Sequence, residues 1–95
     1  MKTAREVRVR DITVGGARLT VAAGPCVLDT FDEALMIARE MKKYCAEFGF
    51  NYIFKASFDK ANRTSITSFR GPGIETGLEW LSEIGRLADV PVVTD

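Results

Sequence analysis

Between Lys55 and Arg70 the sequence sets Lys55, Lys60, Arg63 and Arg70 against one acid, Asp59, in a chain whose formal charge is zero. Arginine offers phosphate a planar two-pronged donor and lysine a compact charge, so cations gathered this closely are suited to holding an anion. With a pI near 6.3, the whole-chain field draws neither duplex nucleic acid nor an anionic membrane, and any anion recognition has to be local. Residues 56–73 keep no sustained apolar period of 2 or 3.6. Segments of that length inside a compact domain are functional or disordered. Phe58, Ile66 and Phe69 are available to pin this one, which reads as an ordered, anion-binding active-site loop. The plain alternative is a solvated cationic surface.

Cys26 is the second group capable of chemistry. It is either a small buried apolar residue or a metal ligand. A metal needs three or four ligands, and with no histidine in the chain the others would have to come from elsewhere. Cys45 falls on the apolar face of a helix and reads as core. The two cysteines lie in different elements, and in the cytoplasmic location that the sequence favours a disulfide between them is not expected. That location follows from a charged N-terminus unlike a secretory leader, and from the lack of any apolar run near the ~18 residues of a membrane span. It also disarms Asn62-Arg63-Thr64 as a glycosylation site.

The elements that position these groups follow in order. At 95 residues, 46% apolar and 27% charged, the chain is at most one soluble domain. Residues 7–14 alternate with a slip near Arg10-Asp11, read as a bulge. Gly15-Gly16 supplies the positive φ of a hairpin turn, and Leu19, Val21 and Ala23 resume the alternation. Thr30 and Glu33 form a capping box that starts a helix whose apolar face is Phe31, Leu35, Ala38, Met41, Cys45 and Phe48; Gly49 closes it. Residues 51–54 form a short buried strand from which the basic loop leaves. From Ile74 a second amphipathic helix carries Ile74, Leu78, Leu81, Ile84 and Leu87, with Glu75 in its first turn. Trp80 lies off that stripe, against a neighbouring helix or subunit. Residues 90–94 form a third apolar strand.

Strand, helix, strand, helix, strand, with strands apolar on both faces, is the pattern of an α/β fold with a parallel sheet. Either a (β/α)₈ barrel or an open doubly wound sheet fits, and both gather chemistry at the carboxyl ends of strands, where Cys26, Lys55 and Asp95 fall. A closed barrel needs about 250 residues, so the chain is expected to be the front third of something longer.

The run Phe54-Lys55-Ala56-Ser57-Phe58-Asp59-Lys60-Ala61-Asn62-Arg63-Thr64-Ser65, with Ser68-Phe69-Arg70-Gly71-Pro72-Gly73, Ala23-Gly24-Pro25-Cys26 and Val92-Val93-Thr94-Asp95, closely resembles the 3-deoxy-D-manno-octulosonate 8-phosphate synthase family over residues 21–95. The resemblance implies the N-terminal portion of a (β/α)₈ TIM barrel, truncated after the third barrel strand. Residues 1–20 would form a hairpin at the barrel base, and residues 21–95 the first strand, first helix, second strand, loop, second helix and third strand. It implies a cytoplasmic transferase of lipopolysaccharide biosynthesis, tetrameric at full length. That enzyme condenses phosphoenolpyruvate with D-arabinose 5-phosphate and water, releasing phosphate.

Carried over by position, the resemblance places Lys55, Lys60 and Arg63 around phosphoenolpyruvate, with Lys60 near the reacting centre and Ser57 among the substrate-binding residues. Asn62, Arg63 and Thr64 would surround the pentose phosphate and Asp95 its hydroxyls, so that Lys60, Asn62 and Asp95 are the catalytic candidates. Cys26 matches the cysteine ligand of the metal-dependent class, with zinc, iron and manganese as candidate divalent ions and the remaining ligands outside this chain. Thr64 replaces a usual serine, Thr67 an often-seen histidine and Asp29 a common glutamate; the first two bear on fine specificity more than on the reaction. The alternatives are a related aldol-type synthase using erythrose 4-phosphate, DAHP synthase, and a non-catalytic phosphate- or RNA-binding module. The 95-residue chain alone is expected to be inactive.

Overall fold

The computed structural model describes residues 5–26, 28, 30–57 and 73–94. Five strands and two helices follow in the order β1 (Val7–Val9), β2 (Ile12–Val14), β3 (Thr20–Ala23), α1 (Phe31–Glu47), β4 (Asn51–Lys55), α2 (Ile74–Ala88) and β5 (Val92–Val93).

β1 and β2 form an antiparallel hairpin, with Val7 opposite Val14 and Val9 opposite Ile12. Its turn is Arg10-Asp11, where Arg10 takes a left-handed φ of 53°. The expected turn at Gly15-Gly16, with a bulge at Arg10-Asp11, is therefore corrected. Gly15 does adopt φ 86°, but it leads the chain out of the hairpin towards β3, which belongs to a different sheet.

That second sheet is parallel, in the order β3-β4-β5, with Ala23 level with Phe54 and Phe54 level with Val92. Parity along the strands separates two faces. Val21, Ala23, Tyr52, Phe54 and Val92 lie with the buried core under both helices. Ala22, Ile53, Lys55 and Val93 alternate with them, and no helix among the described residues covers that opposite face.

α1 starts as its sequence dictates: Thr30 is extended, and its hydroxyl accepts the Glu33 amide at 3.2 Å. Gly49, at φ 74°, follows the helix in the left-handed region that its lack of a Cβ permits. Ala34, Ala38 and Cys45 are the buried positions, with Phe31, Leu35, Ile37 and Met41 flanking them. Phe48 is not part of that face; it is 72% exposed and stacks on Phe50. The α2 stripe is likewise rotated. Gly77, Leu81, Ile84, Gly85 and Ala88 are its buried positions, while Ile74, Leu78 and Leu87 are exposed. Glycine sits where helix and strand meet most closely, a Cβ on Gly85 lying 3.2 Å from the Val90 carbonyl oxygen and 3.3 Å from Val92 Cγ1. Trp80 packs edge-on against Phe31 of α1, ring centroids 6.2 Å apart, so its neighbour is a helix of the same chain.

Candidate active site

The carboxyl ends of β3, β4 and β5 form one rim, because the three strands are parallel and in register. Lys55, the last residue of β4, pairs with Val93 of β5. It lies on the sheet face away from the helices, exposed, and its ammonium makes no hydrogen bond or ion pair among the described residues. Cys26 sits in the bend that follows β3, with a free and exposed thiol. Ser57 lies two residues beyond β4, half-buried, its carbonyl accepting the Leu28 amide at 2.9 Å.

That hydrogen bond joins the bend after β3 to the segment after β4. Tyr52 adds a second tie, its hydroxyl donating to the Ala23 carbonyl at 2.7 Å. Burial, and secondarily the nearby Cys45, push the Tyr52 phenol up to about 12, so it remains a donor at neutral pH. Burial also raises the Cys45 thiol, which leaves it an inert core group beside the exposed Cys26.

At the end of β5, the Thr94 hydroxyl is buried with no hydrogen-bond partner among the described residues. Neither the Tyr52 nor the Thr94 contribution was visible in the sequence pattern. An aromatic in a strand and a threonine after two valines read equally well as packing, and only strand parity combined with register reveals where their oxygens go.

Lys60, Asn62, Arg63, Thr64 and Asp95 lie outside the described residues, as do Asp29, Thr67 and Arg70. The structure therefore brings Cys26, Lys55 and Ser57 to one rim. Cys26 offers one thiol, and no group of three His, Cys, Asp or Glu side chains that could hold a metal stands together among the described residues. One thiolate alone does not hold a divalent ion.

The chain matches the DAHP synthetase I family over residues 3–95. It is 46% identical over 88 residues to the 2-dehydro-3-deoxyphosphooctonate aldolase of Koribacter versatilis, covering 93% of this chain and 32% of that protein. The enzyme of the same name from Fusobacterium nucleatum is 47% identical over 91 residues, or 95% of this chain and 33% of the relative. For Syntrophobacter fumaroxidans the figures are 52% over 83 residues, 87% and 29%. The chain thus spans about a third of the length of these curated relatives. No described helix is long and apolar enough to cross a membrane. With the family match extending from residue 3 to residue 95, the chain belongs to the DAHP synthetase I family.

Proposed function

We propose that this chain is the N-terminal part of a (β/α)₈ enzyme that condenses phosphoenolpyruvate with D-arabinose 5-phosphate and water, giving 3-deoxy-D-manno-octulosonate 8-phosphate and inorganic phosphate. The observation that carries this reading is the rim of this chain, where Lys55, without a partner among the described residues, and a free Cys26 stand at the carboxyl ends of adjacent parallel strands; the aldolase name of its relatives gives that rim a reaction. Strand order fits the barrel. In β3-β4-β5 each strand adds beside the last with both helices on one face, an arrangement that a barrel continues around its circumference and that one half of a doubly wound sheet shares, so the choice of the barrel rests on the family match. Parallel sheets are buried on both sides, so the face bearing Ala22, Ile53 and Val93 would line a barrel interior. Residues 1–20 would then lie at its base.

The chemistry explains why such a rim would carry cations. Phosphoenolpyruvate brings a carboxylate and a phosphate on three carbons, and the pentose a second phosphate. When the enol carbon attacks the aldehyde, a carbon–carbon bond forms and negative charge develops on the aldehyde oxygen while C2 becomes electron-poor. Water adds at C2, and the carbon–oxygen bond to phosphate breaks as phosphate departs. Fixed donors aimed at developing negative charge are worth roughly 3 to 4 kcal/mol each. Lys55 and Ser57 are proposed to hold phosphoenolpyruvate together with Lys60 and Arg63, and Lys60 to stabilise the reacting centre. Asn62, Arg63 and Thr64 would grip the pentose phosphate, and Asp95 its hydroxyls. Cys26 is proposed as one thiolate ligand of a divalent metal completed by residues outside this chain; bound there, the ion would supply Lewis-acid polarisation of the aldehyde.

The test is phosphate release by the full-length parent given both substrates, which this reading requires; none would sink it. Because the matched family is described as DAHP synthetase I, erythrose 4-phosphate is the informative competitor. Preference for arabinose 5-phosphate is expected, and preference for the four-carbon sugar would transfer the assignment to the related synthase. The 95-residue chain alone is expected to release nothing.

A further inference from the structure

Gly24 lies between the end of β3 and the Cys26 bend, and its backbone is outside the left-handed region, so conformation does not require glycine there. Space does. A Cβ at this position would overlap the Lys55 carbonyl oxygen and lie 3.0 Å from the Lys55 carbonyl carbon and 3.2 Å from Phe54 Cε1. The obstacle is strand backbone backed by a fully buried ring, so it cannot swing away as a flexible side chain would. The Tyr52 hydroxyl on the Ala23 carbonyl and the Leu28 amide on the Ser57 carbonyl fasten the chain on either side of this approach.

We propose that Gly24 is a positioning residue that sets the separation between the Cys26 thiol and the Lys55–Ser57 segment. The two halves of the rim, one carrying the thiolate and the other the anion-binding lysine, are thereby held in a single spacing. This inference rests on the functional reading above. Any side chain at residue 24 pushes the β3 exit away from β4 by more than the tolerance of a reacting geometry, where a displacement near 1 Å costs about 100-fold.

The experiment compares Gly24→Ala with Gly85→Ala in the full-length parent. Gly85 is also a crowded glycine, but its neighbours are Val90 and Val92 at the α2–β5 connection. Two readouts are taken well below the melting temperature of each variant: turnover, and the alkylation rate of Cys26 after chelation, with buried Cys45 as the unreactive internal reference. Gly24→Ala should lower kcat about 100-fold and change Cys26 alkylation severalfold, while Gly85→Ala should leave both near wild type. A Gly24→Ala protein that matches Gly85→Ala in both measurements overturns the proposal. If Gly24→Ala does not fold, Tyr52→Phe decides, since it releases one fastening and keeps the ring; wild-type turnover and alkylation in that variant also overturn it. A wild-type parent that releases no phosphate defeats the functional reading instead, and the alkylation comparison still decides what Gly24 places.

Discussion

The two ends of the parallel sheet are built differently. At the amino end charged groups are tied down. Arg10 reaches Asp89 at 2.9 Å, the Lys42 ammonium donates to the carbonyls of Ala88 and Asp89 at 3.2 and 2.8 Å, and Arg18 donates to the Gly49 carbonyl at 2.9 Å. At the carboxyl end, among the described residues, Lys55 has no partner, Cys26 is a free thiol and the Thr94 hydroxyl is buried without a hydrogen bond. Groups that bind only one another stabilise; groups left unsatisfied by the fold are available to a ligand. The contrast separates a base that joins hairpin, α1 and α2 from a rim proposed for chemistry.

Neighbouring residues of β4 give the strongest way to break this contrast. Phe54 is fully buried and Lys55 exposed, one residue apart on opposite faces. Phe54→Ala should cost about 3 to 5 kcal/mol in urea unfolding, by lost burial and the cavity left behind. Lys55→Ala should leave unfolding unchanged and lower kcat/KM for phosphoenolpyruvate in the full-length parent by about 100- to 1,000-fold. A Lys55→Ala parent with wild-type kinetics would remove the rim's claim to chemistry.

Much of this division was legible from residue order. The Thr30 cap, the Gly49 stop and the three apolar strands are local signals, and the structure follows them. The hairpin turn was not, because Gly-Gly is the stronger turn signal while Arg10 enters the left-handed region without help from its own type. Helix faces were half legible. The 3.6 period finds Leu81 and Ile84 but cannot see that the small residues Gly77, Gly85 and Ala88 take buried positions, Gly85 by a close approach to Val90 and Val92, while Ile74, Leu78 and Leu87 are turned outward. At the site, the strand-end positions of Cys26 and Lys55 follow from the order of elements. Their fastening through Tyr52, Gly24 and Leu28 depends on register between strands far apart in sequence.

Tyr52 sharpens the comparison because its ring belongs to the core and its hydroxyl to the rim. Its phenol is raised from 10.0 to about 12 in the folded chain, so the protonated form is favoured by folding. The stabilisation is complete below pH 10 and is lost as pH rises from 10 to about 12, where the unfolded chain releases the proton first. Tyr52→Phe should abolish that part of the alkaline fall. It should also cost about 1 kcal/mol at neutral pH through the Ala23 carbonyl left without its donor. Denaturant midpoints across the alkaline range check both; an unchanged pH profile in Tyr52→Phe would assign the loss to another group.

The smallest effect is expected at the base. Asp89 takes a left-handed φ of 53° after α2 and receives both Arg10 and Lys42, but its side chain is 76% exposed. Asp89→Asn keeps a residue that tolerates this conformation and removes only the charge, so it should lower stability by less than about 1 kcal/mol, with the loss shrinking as salt is added. Asp89→Gly removes the charge and relieves the backbone together. The Lys42 bonds to the Ala88 and Asp89 carbonyls persist in both variants, since neither changes the main chain. If Asp89→Gly melts above the wild type, backbone conformation outweighs the charge pairs in fastening this end; equal melting of Asp89→Gly and Asp89→Asn would show that glycine and asparagine differ little in their cost at φ 53°. In either case turnover of the full-length parent should stay at the wild-type rate, because the base reaches the rim only through a sheet whose register these substitutions leave intact.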